Sequence, residues 1–84
     1  MMRHQMRSAA DIVAYITDCT LATVVDLRMK KSASKSETLR QISIAQTAID
    51  TGRLYDVSFR GTRAQQVIDC YGCDVTAWAE QYKP

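Results

Sequence analysis

Proline and glycine are scarce in this chain, with one proline, at position 84, and three glycines among 84 residues. That scarcity excludes collagen-like repeats and linker composition. Histidine is scarcer still. The single His4 leaves little material for a Ser–His or Cys–His catalytic pair. Net charge is small as well, +2 from 11 Lys+Arg against 9 Asp+Glu, while 46% of the residues are hydrophobic. Balanced charge with an ordinary apolar fraction excludes a disordered polyelectrolyte. The length allows one small domain over residues 1–84 and is too short for a large cofactor-binding fold.

Long apolar runs are missing too. Asp11, Asp18 and Asp26 interrupt the first third of the chain. No segment approaches the roughly 18 apolar residues that a membrane span needs. Met1 to Arg7 carries positive charge, but no unbroken apolar core follows it, so no signal peptide is visible. The three cysteines, Cys19, Cys70 and Cys73, are an odd number, which points to reduced thiols rather than a disulfide framework. The expectation is a cytoplasmic protein with no membrane partner. A domain this short buries only about 60–65% of its unfolded surface, and such domains often add a metal, a disulfide or a partner chain.

What is present is helix signal. Ser8 and Asp11 resemble a capping box ahead of Ile12, Val13, Ile16, Cys19, Val24 and Leu27, which fall near helical spacing. This predicts a helix over 9–30. The β-branched residues between Thr20 and Val25, and alternative caps at Thr17 or Asp18, leave open a break near 17–20. Ser34 and Glu37 form a better capping box, and Leu39, Ile42, Ala45 and Ile49 make one apolar stripe, widened by Ile44 and Ala48. Gly52 is expected to end that helix in the left-handed conformation. Tyr55, Val57 and Phe59 then alternate with Asp56, Ser58 and Arg60, which is strand spacing over 55–59 with no partner strand. An extended link that packs Tyr55 and Phe59 inward is the alternative. Thr62 with Gln65 gives a third capping box before Ala64, Val67, Ile68 and Tyr71, and Gly72 stops this helix. Asp74 caps a last helix carrying Val75, Trp78, Ala79 and Tyr82. The fold class predicted is all-α, a compact bundle of four to five short helices.

The one compact ligand-like motif is Cys70-Tyr71-Gly72-Cys73. Cys19 and His4 would complete a Cys₃His zinc set if the fold gathered them, and a redox pair is the other chemistry open to the motif. Small core cysteines are the more ordinary reading. No catalytic, metal or cofactor-binding residue is assigned, and the protein is read as non-enzymatic.

Charge placement says more. Residues 28–40 hold Arg28, Lys30, Lys31, Lys35 and Arg40 against Glu37 alone, a local excess of +4 on an otherwise slightly acidic chain. Such an edge meets either an acidic protein surface or a phosphate backbone. Arg60 and Arg63, beside exposed aromatics, are a second expected contact region.

Two fragments resemble known DNA-binding families. Ser34 to Ile42 resembles the start of the second helix in ribbon-helix-helix repressors, which implies a DNA-binding dimer with Arg3 to Arg7 as the candidate ribbon. Residues 63–82 look like a helix-turn-helix with Gly72 at the turn and Val75 to Tyr82 as the recognition helix. In type, without a shared motif, the chain is similar to the small inhibitors and adaptors of phages and mobile elements, anti-CRISPR proteins included. The preferred expectation is a protein–protein regulator or inhibitor that binds an acidic surface through Arg28, Lys30, Lys31, Lys35, Arg40, Arg60 and Arg63. A dimeric DNA-binding regulator using 28–40 is the alternative, and a small structural or assembly subunit the second. A homodimer is compatible with any of them.

Overall fold

The computed structural model describes residues 8–84. Four helices follow one another: α1 (Ala9–Met29), α2 (Lys35–Leu54), α3 (Arg63–Cys70) and α4 (Val75–Ala79). The fold is all-α, and among the described residues there is no strand.

The first two helices begin where their caps dictate. Ser8 Oγ accepts from the Asp11 backbone N–H and Ser34 Oγ from that of Glu37, both at 3.1 Å. Each bond satisfies a donor that the first helical turn leaves without a partner. α1 then runs unbroken through the β-branched stretch, so the break considered near 17–20 does not occur. The threonine hydroxyls turn back onto their own helix. Thr17, Thr20 and Thr23 donate to the carbonyls of Val13, Ile16 and Cys19 at 2.7, 3.0 and 3.1 Å. A hydroxyl satisfied four residues back leaves the backbone ladder intact.

α1 and α2 form a long antiparallel hairpin, the most extensive helix pair in the molecule. α3 packs on α1, and α4 packs on α2 with a smaller contact to α1. The core is Leu21 and Val24 of α1, Ile42, Ala45 and Ile49 of α2, Phe59 of the connecting segment, Ala64 and Val67 of α3, and Val75, Trp78 and Ala79 of α4. The α2, α3 and α4 stripes therefore point inward largely as expected. Leu39 and Ile44 do not and stay exposed.

α1 departs further. Its buried face is Ala14, Thr17, Leu21 and Val24. The larger Ile12, Val13, Ile16 and Cys19 stay outside. Ala14 and Thr17 are small, so neighbouring helices approach closely on that side. The bulkier stripe would hold them apart.

Gly52 does not end α2. The helix continues to Leu54, and Asp56 takes the left-handed turn at φ 57°. Gly52 is needed for another reason. The tip of the Phe59 ring abuts it, and an added Cβ would overlap that ring. The segment after α2 is an extended link rather than a strand. Phe59 is buried and Val57 partly buried, but Tyr55 sits at the end of α2 and points to solvent.

The third capping box also fails to form. Thr62 makes no side-chain cap, because its hydroxyl donates to the Phe59 carbonyl at 2.6 Å. Asp18 of α1 replaces it, accepting from the Arg63 backbone N–H at 2.8 Å. The Asp74 cap forms as expected, accepting from Ala77 N–H. α4 is only five residues long, so Tyr82 lies beyond its end.

Gly52→Ala should destabilise the protein by about 1–3 kcal/mol through overpacking against Phe59. Urea unfolding followed by Trp78 fluorescence measures this. An unchanged midpoint would show that Phe59 moves away at no cost.

Candidate functional site

Four of the seven predicted contact residues, Arg28, Lys30, Lys31 and Lys35, stand around one opening. A cleft of about 360 Å³ lies where the α1–α2 turn, the first turns of α2 and the end of α4 meet. Leu27, Leu39 and Ile42 give it an apolar floor, and Lys30, Lys31 and Lys35 stand on its rim. All three lysines are exposed. Among the described residues the one ion pair is Arg63–Asp18, so none of the three is neutralised by a carboxylate in contact. Glu80 and Pro84 line the far side of the cleft, and Glu80 is the one acidic side chain there.

Local sequence explains this placement. Ser34 starts α2 directly after the turn, which puts Lys35 in the first helical position and Thr38 and Leu39 one turn on. Thr38 is buried with its hydroxyl donated to the Ser34 carbonyl, and this leaves Leu39 outward on the cleft. Leu39 was expected in the core stripe. It is instead half of the apolar floor, with 52% of its surface exposed.

Arg28 also borders the cleft, but its Nε–H is shared between the carbonyls of Ala79 and Tyr82, each at 3.1 Å. It therefore ties the end of α4 and the residues after it to α1, adding a charged donor to the Ala79 carbonyl that already accepts from Tyr82 N–H. Arg40 is exposed on α2 and does not line the cleft.

Arg60 and Arg63 lie elsewhere. Arg63 Nη1 binds Asp18 Oδ2 at 2.8 Å, and Arg60 shares a shallow depression with Asp11, Tyr15 and Asp18. Along α1, Asp11 and Lys30 are about 28 Å apart at 1.5 Å per residue. The second arginine region is thus separate from the lysine rim, and in it Asp18 pairs with Arg63.

Sequence inspection missed Gln46. Its Nε2 donates to the Cys73 carbonyl at 2.7 Å, and its Oε1 accepts from the Val75 N–H at 2.8 Å. One amide thereby clamps the α3–α4 turn onto α2 and sets where α4, the cleft's far wall, lies. A glutamine at a helix position carries no local sign of this role, because both partners are almost thirty residues away.

The cysteines are free thiols. Cys19 and Cys70 are exposed and Cys73 is partly so. Among the described residues no three His, Cys, Asp or Glu side chains are grouped so as to hold a metal ion. His4 and the candidate ribbon Arg3 to Arg7 lie outside the described residues. In the segment resembling a helix-turn-helix, α4 turns Val75, Trp78 and Ala79 into the core. No helix is long and apolar enough to cross a membrane among the described residues. Comparison with known protein families, with curated proteins and with solved structures gives no match to this chain.

Arg28→Ala should lower stability by about 2 kcal/mol, since it removes a charge-assisted bond to two carbonyls. Lys30→Ala and Lys31→Ala, on exposed positions, should change it by no more than about 0.5 kcal/mol. Denaturant unfolding of the three variants distinguishes a structural arginine from free lysines.

Proposed function

We propose that the protein acts without catalysis, as a stoichiometric binder of another protein, and that the lysine-rimmed cleft receives an acidic segment of that partner. The observation that carries this reading is the pairing of unneutralised Lys30, Lys31 and Lys35 with an apolar floor of Leu27, Leu39 and Ile42. A segment with carboxylates flanking one bulky apolar side chain fits both halves of that chemistry. The lysines steer and orient it, and burial of the apolar anchor supplies most of the affinity. A phosphate backbone would satisfy the lysines and leave the floor unused, so the apolar lining favours protein over nucleic acid.

A regulator or inhibitor works in this way by occupying a surface its partner needs for something else. The cleft is open and small, which suits capture of a side chain and its neighbours rather than enclosure of a large ligand.

Reversing Lys30, Lys31 and Lys35 to Glu together should weaken partner binding by about 2 kcal/mol, roughly 30-fold, and flatten its salt dependence. The measurement is affinity capture from the native host with both forms of the protein, followed by titration of the captured partner. Equal retention by the reversed protein removes the cleft from the interface. Tight binding of random duplex DNA, with an affinity falling steeply as salt rises, would replace the protein partner with a nucleic acid.

A further inference from the structure

Among the described residues nothing covers the side of the hairpin away from α3 and α4, and it is not built like a solvent face. On α1 its positions are Ile12, Val13, Ile16, Thr20 and Thr23. On α2 they are Gln41, Ile44, Ala48 and Thr51. None of these carries a charge, although Glu37 and Arg40, one turn before Gln41 and Ile44, stand exposed at the turn end of the same α2 face. Ile12, Ile16 and Ile44 are 46%, 56% and 47% exposed. Two adjoining depressions run along the seam between the helices and share Val13 and Thr51. α1 is therefore apolar on both its inner and its outer side and charged along the side that carries Asp11, Asp18 and Asp26.

We propose that a second copy of this chain covers this face, hairpin against hairpin, so that two α1 and two α2 helices enclose a second core. Area supports that occupant. α1 and α2 have 21 and 20 residues, so each is about 30 Å long, and two helices side by side span about 20 Å. The face projects about 600 Å², and its ridged side chains bring it toward the roughly 800 Å² per partner of a standard stable interface. The molecule itself is a slab, 42 × 29 × 18 Å, with this broad side open. An isologous pair needs a self-complementary patch, and one that is apolar along most of its length meets that condition without further design.

Charge fixes the direction. The turn end of the hairpin holds Arg28, Lys30, Lys31, Lys35 and Arg40 against Glu37. The other end has no such excess among the described residues, with Asp11, Asp50 and Asp56 against Arg53 and Arg60. Parallel pairing would set the two basic ends side by side. Antiparallel pairing keeps the two basic ends apart and leaves both lysine-rimmed clefts open, one at each end of the pair. This inference does not depend on what the cleft binds.

Light scattering on size-exclusion peaks tests it, with protein loaded across a wide concentration range. The wild type should run at twice its 9.5 kDa chain mass. Ile16→Glu and Ile44→Glu, both on exposed positions, should each return it to a monomer with unchanged helical circular dichroism. Lys30→Glu with Lys31→Glu should leave a dimer. A wild type that stays monomeric throughout the range, or a dimer that survives both isoleucine variants, overturns the proposal. If either isoleucine variant fails to fold, loss of Cys19 thiol reactivity on concentrating the wild type keeps the test, since Cys19 borders the face. Unchanged reactivity counts against it. Raising salt from about 0.05 to 0.3 M should weaken the antiparallel pair or leave it unchanged. Tightening over that range would overturn the antiparallel direction.

Discussion

Burial of Trp78 is the contact on which the rest of this small structure depends. It comes from a helix of five residues, far too short to persist alone, yet it is fully enclosed. A tryptophan buries on the order of 150–250 Å², worth about 4–6 kcal/mol before the entropy of ordering it is counted. Its indole N–H would cancel part of that gain if it were left without an acceptor. Gln66 Oε1 of α3 supplies one at 2.8 Å, and the Tyr82 ring packs edge-on with centroids 5.1 Å apart. The last two helices are therefore not ornaments on a hairpin. They are held as a lid by one large side chain, and the hairpin's inner face is a core only because that lid is in place.

Three polar ties set the position of the lid, and each spans a long stretch of chain. Gln46 holds the α3–α4 turn, Arg28 holds the end of α4, and Asp18 holds the start of α3. Apolar packing is non-directional and would tolerate several placements of two short helices. Hydrogen bonds of fixed geometry select one. The lysine-rimmed cleft owes its far wall to the Arg28 and Gln46 ties, so the candidate site follows from how the core is closed. The α1–α2 turn brings the lysines, but Glu80 and Thr76 reach the same opening only because α4 is fixed across α2.

The molecule therefore has two unlike surfaces on one scaffold. The turn end is basic with an apolar floor. The open side of the hairpin is apolar along most of its length. They use the same two helices at different faces and suit different kinds of partner. The +4 segment is confined to the turn end, which is why net charge alone says so little about this chain.

Much of the helical layout was legible in the residues. Ser8, Ser34 and Asp74 cap the helices that follow them, and Ile42, Ala45, Ile49, Val67, Val75 and Trp78 face inward at helical spacing, because caps and stripes act over three or four residues. The lysine rim was equally legible, since Lys30, Lys31 and Lys35 are neighbours in the chain. What the residues left open needed contacts across the molecule. α1 has two apolar stripes, and local spacing cannot choose between them. Gly52 reads as a helix stop until Phe59, seven residues on, is seen lying against it. Thr62 reads as a cap until Asp18 arrives from α1. Arg28 reads as one more surface cation until the carbonyls of Ala79 and Tyr82 are found at its Nε. Sequence determined where helices start, which residues are apolar and where positive charge is concentrated, all short-range properties of a chain. Tertiary structure decided which apolar stripe is core, which cations are free and where the cleft opens, because each of those depends on groups brought together only when the chain closes on Trp78.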